Sequence, residues 1–295
     1  MPTTPFKQVD VFTQQPFCGN PVAVVMDAQG LSSSQMQRIA HWTNLSETTF
    51  VLPATSPEAD YRVRIFTPGR ELPFAGHPTI GTAHALMEAG QITPHRQQLI
   101  QECEAGLIAL KVTESDHGPA HIAFSLPEPT ITPLPAAQAQ RLSTLLNCKL
   151  SAECPPVLVD VGPRWIVAQG HNAKRVAQAR PDFVGLAALD RELEATGSCL
   201  FGYQDGVLPC AIEVRSFAPA CGIPEDPVCG SGNGAVAAFI RQYALPVPDS
   251  RELRSYQGSN VGRNGKITLT IAASGISVAG QAVTCIEGEL TLPER

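Results

Sequence analysis

Several features that mark common classes of protein are absent from this sequence. The 295 residues carry a net charge of −6, without the basic excess that nucleic-acid binding needs, so nucleic acid is not an expected partner. No run approaches the roughly 18 consecutive apolar residues of a membrane span, and the start, MPTTPFKQVDVF, lacks the apolar core of a signal peptide. We therefore expect a soluble, cytoplasmic protein with no membrane partner.

The ligand spacings of common metal and nucleotide sites are also missing. Nine cysteines and seven histidines are present, but neither a CxxC pair nor an HExxH motif occurs. Neither GxxxxGK[ST] nor GxGxxG is found in the glycine-rich stretch that follows Cys229. We expect no metal site, and most of the thiols are expected to be small buried residues in a reducing compartment.

What the sequence does contain is a series of short strand and helix patterns. Runs such as YRVRIFTP predict strands, with Tyr61, Val63 and Ile65 on one face. LSSSQMQRIAHWTN predicts a helix with serine at its start. The tail after Gly258 predicts a β-meander with a hairpin turn at Asn264-Gly265.

One stretch of sequence occurs twice, as RIFTPGRELPFAGHPTIGTAHAL from Arg64 and as RSFAPACGIPEDPVCGSGNGAVAAFI from Arg215. Both copies begin Arg-x-Phe-x-Pro, and the next prolines, Pro73 and Pro224, align before a three-residue insertion in the second copy. The copies then rejoin, with Ala75, Gly76 and His77 against Cys229, Gly230 and Ser231. This pattern predicts a duplicated chain whose halves each contain a strand, a Pro-flanked loop and a helix start.

The repeated helix starts suggest a binding site. A helix N-terminus presents unpaired backbone N–H groups and a partial positive charge. Pro78 suits a first helical turn, and the glycines after Cys229 let backbone donors approach a ligand. Glycines can also serve only to permit tight turns, but two matching copies favour a site for a small carboxylate-bearing molecule.

Cys229 is a candidate nucleophile or proton carrier, because a thiol just before a helix N-terminus is expected to have a lowered pKa. The matching position in the first copy is Ala75, so a two-thiol racemase mechanism is not available to these loops. A space-filling role explains Cys229 equally well.

The other acid–base candidates are carboxylates and one histidine near the repeated loops: Glu47, His77, Glu225 and Asp226. Each also has a structural explanation. A glutamate at a strand start is usually solvated, His77 could cap its own helix, and Asp226 before a proline could form an Asx-turn.

Four segments together resemble the PhzF family, named for the phenazine-biosynthesis isomerase, which shares its fold with diaminopimelate epimerase. They are QMQRIAHWTNLSETTFVLP, the two repeat copies, and YQGSNVGRNGKI, which contains Arg263. The resemblance implies a duplicated α/β (α+β) fold, in which each half is a mixed sheet curled around a central helix and the active site lies in the cleft between the halves. It also implies a homodimer that needs neither metal nor organic cofactor.

With this fold, the expected domains are residues 1–126 with a returning C-terminal strand at 282–295, and residues 127–281. The Pro- and Ala-rich stretch 127–155 marks the expected boundary.

The resemblance also assigns roles by motif. The catalytic glutamate, which removes a proton from a substrate carbon, falls on Glu47. The residues that bind and polarise the substrate fall on His77 and Asp226. The groups that hold the substrate carboxylate or lie near the cleft fall on Gly76, Gly230, Ser231 and Asn20. Cys229 stands where the phenazine enzyme has threonine and the epimerase has a catalytic cysteine.

The expected function is therefore a cofactor-independent isomerase that moves a carbon-bound proton on a small carboxylic acid. One alternative is an amino-acid-type epimerase or racemase that uses Glu47 and Cys229. The other is a small-metabolite binding protein that performs no chemistry.

Overall fold

The computed structural model describes residues 2–115, 118–206 and 211–292. The chain divides into two compact units, called here unit 1, Met1–Phe124 with Ala279–Arg295, and unit 2, Ser125–Val278. No helix among the described residues has the length and apolar character that a membrane crossing requires.

The elements follow one another in two similar series. The first series is β1 Thr3–Val11, β2 Asn20–Val25, α1 Ser33–Thr43, β3 Glu47–Leu52, β4 Tyr61–Phe66, β5 Glu71–Leu72, α2 Gly76–Glu88, β6 Gln98–Cys103, β7 Gly106–Thr113 and β8 His121–Ser125. The second is β9 Thr130–Pro133, α3 Ala136–Leu146, β10 Val157–Asp160, β11 Arg164–Gln169, α4 Ala173–Gln178, α5 Phe183–Glu192, β12 Gly197–Tyr203, β13 Ala211–Ala218, β14 Ile223–Asp226, α6 Gly230–Gln242, β15 Glu252–Gln257, β16 Gly265–Ala272 and β17 Gly275–Gly280. The last strand, β18 Ala282–Thr291, pairs antiparallel with β1.

The strand pairings show that the duplication covers both units. In unit 1, β1–β2 is antiparallel, β2–β3 parallel, β3–β4 antiparallel, β4–β6 parallel and β6–β7 antiparallel. In unit 2, β10–β11, β11–β12, β12–β13, β13–β15 and β15–β16 repeat the same series of directions. Each unit is therefore a mixed sheet with the same strand order.

Each mixed sheet packs around one buried helix. Helices α2 and α6 both have 13 residues, of which 10 are buried in each case. Helix α2 contacts β1, β2, β3 and β18, and α6 contacts β10, β11, β12 and β16. Small residues allow this approach: a Cβ on Gly81 would lie 2.4 Å from a methyl carbon of Val22. The small residues that the sequence places in these helices therefore have a packing reason.

The sequence predictions for unit 1 are confirmed at α1 and β4. Ser32 caps α1 by accepting the Gln35 backbone N–H, and the Gln35 side chain returns to the Ser32 backbone. This reciprocal capping box fixes where the helix begins. Along β4, Tyr61, Val63 and Ile65 are buried, as their alternation predicts.

The alignment of Pro73 with Pro224 is wrong. In β5, Leu72 pairs with Ile65, and in β14, Asp226 pairs with Ser216. Since Ile65 and Ser216 are equivalent in the repeat, Asp226 corresponds to Leu72, and Pro227 rather than Pro224 corresponds to Pro73. The insertion lies earlier, in the 3-10 turn Pro219–Cys221 and the left-handed Gly222, which a local sequence alignment could not locate.

The predicted hairpin turn at Asn264-Gly265 is also wrong. Strand β15 ends at Gln257 and pairs there with Gly265, so residues 258–264 form the connection. That connection contains a 3-10 turn at Ser259–Val261, flanked by left-handed Gly258 and Gly262. Gly265 belongs to β16, and its Cβ position is filled by the Val228 side chain.

The prediction that most cysteines are buried is wrong for the described residues, while Cys210 lies outside them. Only Cys154, Cys199 and Cys229 are buried, Cys221 is exposed, and the others are half-buried. The half-buried ones include Cys103, at the end of β6, and Cys285, at the irregularity in the pairing of β18 with β1.

Candidate active site

The start of the central helix in unit 1 brings a glutamate and a histidine together. Glu47 is the first residue of β3, and His77 is the second residue of α2. His77 Nε2 lies 3.3 Å from Glu47 Oε2, with the two side chains 8% and 16% exposed. The two atoms are in contact, although the ring is not aligned for a hydrogen bond to this oxygen. The two groups predicted to act on a substrate proton are therefore adjacent.

Burial gives Glu47 the pKa of a base that is useful near neutral pH. Removal of the carboxyl group from water raises the pKa of Glu47 to about 7, and a hydrogen bond from Ser46 opposes that rise. Ser46 Oγ also lies 3.4 Å from Asn20 Oδ1, and Asn20 is almost completely buried at the start of β2. Asn20 thus helps to hold the turn that carries Glu47.

Gly76 has a packing role in addition to any binding role. A Cβ at Gly76 would lie 2.4 Å from the Phe124 ring, so only glycine fits at the first position of α2. Ala75, the residue before it, makes no side-chain cap to the helix. The first turn of α2 therefore keeps backbone N–H groups that its own cap residue does not satisfy.

The start of the central helix in unit 2 is built from a thiol and a hydroxyl. Cys229 is the cap residue of α6, and its Sγ accepts the Gly232 backbone N–H at 3.2 Å. Ser231 Oγ lies 3.6 Å from that sulfur and accepts a hydrogen bond from Trp165 Nε1 at 3.1 Å. Gly230 and Ser231 are the first two residues of the helix, so the predicted carboxylate-holding groups lie at its positive end.

The predicted lowering of the Cys229 pKa is wrong. Burial of the thiol raises its pKa well above the usual value, and the nearby Asp226 carboxylate adds to the rise. The hydrogen bonds from Ser231 and from the Gly232 backbone oppose this rise without overcoming it. Desolvation outweighs the helix terminus here, so Cys229 is a neutral thiol at physiological pH.

Asp226 forms the Asx-turn that its position before Pro227 suggested. Its Oδ1 accepts the Val228 backbone N–H at 3.0 Å. A buried glutamine, Gln257, fixes the rest of this loop. Gln257 Nε2 donates to the Asp226 carbonyl at 2.9 Å, and Gln257 Oε1 accepts from the Cys229 N–H at 3.1 Å.

Glu225, the other acidic candidate of this loop, belongs to the scaffold. Its two carboxylate oxygens accept from Arg215 Nε and Nη2 at 2.9 and 2.8 Å, and both side chains are buried. Arg64 and Glu71 make the same paired contact in unit 1. Both oxygens of this carboxylate are occupied by the arginine, so Glu225 is removed from the candidates.

Three residues of the unit 2 site were missed by the sequence predictions: Trp165, Asn233 and Gln257. Asn233 Nδ2 donates to the Cys229 carbonyl at 2.9 Å and to Gln257 Oε1 at 2.7 Å. Asn233 stood out only as an amide inside a Gly- and Ala-rich helix. Trp165 lies far from the motif in sequence, and no local pattern pointed to it. Gln257 lies in the segment YQGSNVGRNGKI, but nothing in that segment marked Gln257 as part of the site.

Among the described residues, no cluster of three or more His, Cys, Asp or Glu side chains could hold a metal ion. Unit 1 supplies a base near neutral pH with a histidine beside it, and unit 2 separately supplies a helix start with a hydroxyl and backbone donors. In chemical terms these groups suit removal of a carbon-bound proton and recognition of an anion.

Comparison with known proteins finds relatives over almost the whole chain. The family model for phenazine biosynthesis-like proteins, PhzC-PhzF, matches residues 9–288. A Schizosaccharomyces pombe protein, antisense-enhancing sequence 1, is 42% identical over 292 residues, covering 96% of this chain and 97% of that protein. The trans-2,3-dihydro-3-hydroxyanthranilate isomerase of Pseudomonas aeruginosa is 31% identical over 289 residues, covering 96% of this chain and 98% of the isomerase.

A solved structure shows the same fold. The crystal structure of a Bacillus anthracis phenazine biosynthesis protein of the PhzF family superposes with a TM-score of 0.86 at 28% identity, covering 99% of this chain and 100% of that one. The predicted α+β fold is confirmed by this likeness and by the repeated strand order.

Proposed function

This chain belongs to the PhzC-PhzF family of phenazine biosynthesis-like proteins and is an isomerase of that family, and we propose that it moves a carbon-bound proton on a small carboxylic acid. The observation that carries the proposal is the buried Glu47 carboxyl, with a pKa of about 7, beside His77 Nε2 at 3.3 Å. A base whose pKa is close to the working pH combines a useful unprotonated fraction with sufficient basicity.

In this mechanism Glu47 takes the proton from a substrate carbon and returns it to another carbon of the same molecule. Proton removal leaves enolate-like negative charge, which nearby hydrogen-bond donors stabilise. His77 supplies such a donor beside Glu47, and Asp226 contributes to substrate binding. In unit 2, Gly230, Ser231 and the N-terminus of α6 favour the binding of a carboxylate. Each step uses groups of this chain.

A second candidate is an epimerase, which one observation favours. Cys229 is a neutral thiol at the start of α6, because burial and Asp226 raise its pKa. A neutral thiol can give a proton, so in an epimerase Glu47 would remove the substrate proton and Cys229 would return one. The product would then be the stereochemical inverse of the substrate instead of a positional isomer.

The homodimer and the cytoplasmic location stay predictions.

The test is hydrogen–deuterium exchange at carbon in heavy water, with proton NMR as the readout. The panel contains trans-2,3-dihydro-3-hydroxyanthranilate and a set of amino acids. Wild type, Glu47→Gln and the matched control Glu58→Gln are compared, because Glu58 is exposed and lies outside the site. We expect label to enter one compound with wild type and Glu58→Gln and not with Glu47→Gln.

Each other outcome has a clear meaning. Label that persists in Glu47→Gln contradicts the assignment of the base. Inverted product identifies the epimerase. Binding of a panel compound, seen as a thermal shift, with no exchange at carbon would identify a non-catalytic binding protein.

A further inference from the structure

Trp165 lies in β11 and is 2% exposed, yet the only polar atom of its side chain contacts the predicted carboxylate site. Its indole Nε1–H donates to Ser231 Oγ at 3.1 Å. An indole nitrogen can only donate, so the Ser231 oxygen acts as the acceptor in this contact. The hydroxyl proton of Ser231 is left to be given to another group.

Within the first turn of α6, the other neighbour of this hydroxyl is Cys229 Sγ, at 3.6 Å. That sulfur already accepts the Gly232 backbone N–H at 3.2 Å, and sulfur is a weak acceptor. A carboxylate at the helix start is a much stronger acceptor, because a charge-assisted hydrogen bond is roughly twice as strong as a neutral one. The Ser231 hydroxyl is therefore prepared to donate to an anion.

The repeat supports a specific role for Trp165. In unit 1, β2 residue Val22 pairs with Glu47, which reaches the second residue of α2, His77. In unit 2, the equivalent strand pair is Trp165 with Gly197. The position of Glu47 in unit 1 is thus occupied by Gly197 in unit 2. The side chain that reaches the second residue of α6 is Trp165, on the neighbouring strand β11. A carboxylate in unit 1 is replaced by a hydrogen-bond donor in unit 2.

We propose that Trp165 is a positioning residue that holds the Ser231 hydroxyl as a hydrogen-bond donor toward the carboxylate of the bound substrate. Trp165 then determines how tightly the carboxylate binds, while proton transfer at Glu47 proceeds without it. The identity of the ligand as a carboxylate substrate rests on the proposed function; the orientation of Ser231 does not.

The first test is NMR of the two indole groups with isotope-labelled tryptophan, since the chain has only Trp42 and Trp165. Trp42→Phe assigns the signals and serves as the control, because Trp42 is 77% exposed. Ser231→Ala should move the Trp165 indole N–H signal toward that of a free indole and leave Trp42 unchanged. Anthranilate or acetate should shift the Trp165 signal in wild type, and 2-aminobenzamide, which lacks the carboxylate, should not.

The second test measures affinity and turnover in Trp165→Phe. We expect the Kd for anthranilate and the KM for substrate to rise about tenfold, the effect of one lost charge-assisted hydrogen bond, with kcat changed by less than about twofold. The double variant Trp165→Phe with Ser231→Ala should bind no more weakly than Ser231→Ala alone, because both changes remove the same contact.

The proposal is overturned if the two substitutions add independently, if kcat falls while KM is unchanged, or if neither carboxylate shifts the Trp165 signal. If Trp165→Phe does not fold, the Ser231→Ala spectra decide. Absence of turnover on every compound would contradict the proposed function, and the anthranilate and acetate titrations would still decide the role of Trp165.

Discussion

The central helices of the two units begin in the same way and carry different chemistry. The cap residue is Ala75 in unit 1 and Cys229 in unit 2, and the residue at the second helical position is His77 in one and Ser231 in the other. In unit 1 a carboxylate lies beside the helix start, and in unit 2 hydrogen-bond donors lie beside it. The two units therefore share the frame that positions these residues, while single differences within it place a carboxylate and a histidine at one helix start and a thiol and a hydroxyl at the other.

The side-chain contacts that hold the two helix starts in place also differ between the units. In both units a side-chain hydrogen bond joins the central helix to a strand. Gln101 Nε2 donates to Thr79 Oγ1 in unit 1, and Ser255 Oγ donates to Asn233 Oδ1 in unit 2. Only unit 2 adds Gln257, whose position in unit 1 is taken by Cys103. The three-residue insertion of unit 2 lies before Asp226, and the Gln257 side chain holds the loop that follows it.

The largest expected effect is that of Glu47→Gln, which removes the base of unit 1. We expect kcat to fall by about 10²–10⁴-fold, the contribution of a positioned general base, and Glu58→Gln to have no effect. In wild type, activity should rise with pH through about 7, because Glu47 must lose its proton and burial raises its pKa to about 7. An acid limb near the ordinary value of 4.5 would show that burial does not control this carboxyl.

Gln257→Met tests whether the loop of unit 2 depends on its extra support. The change deletes three hydrogen bonds and leaves the buried Cys229 N–H without its partner, so the free energy of unfolding should fall by about 1–3 kcal/mol. Cys103→Ala, at the equivalent position of unit 1, should change it by less than about 0.5 kcal/mol. Urea denaturation measures both, and equal effects would refute this difference between the units.

Asp190→Asn addresses a buried acid of unit 2 whose contact is made in unit 1 by a threonine. Ser198 Oγ donates to Asp190 Oδ1 at 3.4 Å, whereas the equivalent Thr48 of unit 1 pairs with the hydroxyl of Thr43 at 2.8 Å. Burial raises the pKa of Asp190 from 3.8 to about 7, so the folded protein holds this proton to higher pH than the unfolded chain does. The stability from this group is complete below about pH 4 and is lost as pH rises through about 7.

Replacement by asparagine should remove that pH dependence. We expect the variant to be more stable than wild type by on the order of 2 kcal/mol at about pH 8, and to gain much less at about pH 4. Thr43→Ser, the control in unit 1, should leave the slope of stability against pH as in wild type. Thermal unfolding across this pH range decides, and an unchanged slope in Asp190→Asn would contradict the assignment.

The smallest effects are expected at the cap residues. Ala75→Ser supplies a missing side-chain cap and should stabilise the protein by about 0.5–1 kcal/mol, whereas Cys229→Ser exchanges one cap for another and should gain less. Because burial raises the pKa of Cys229, carbon exchange in Cys229→Ser should stay within about threefold of wild type. Loss of stereochemical inversion with intact exchange would instead support the epimerase.

The sequence located most of what is local. The Arg-x-Phe-x-Pro repeat revealed the duplication, and the strand and helix patterns marked α1, β4 and both helix starts. The predictions were wrong where distant residues decide the geometry. The equivalence of Asp226 with Leu72 depends on strand pairing. Gly265 is the first residue of β16 and pairs with Gln257, so Asn264-Gly265 does not form the predicted hairpin turn.

By itself, then, the sequence determined the repeat, the residue types at the two helix starts and the family they resemble, because these depend on neighbouring positions along the chain. Only the tertiary structure decided the protonation behaviour of Glu47 and Cys229 and the contacts of Trp165 and Gln257. Burial is produced by residues remote in sequence, and it raises the pKa of both acids by excluding water from their charged forms. A local motif predicts where a helix begins, but it does not predict how far the folded chain excludes water from that position.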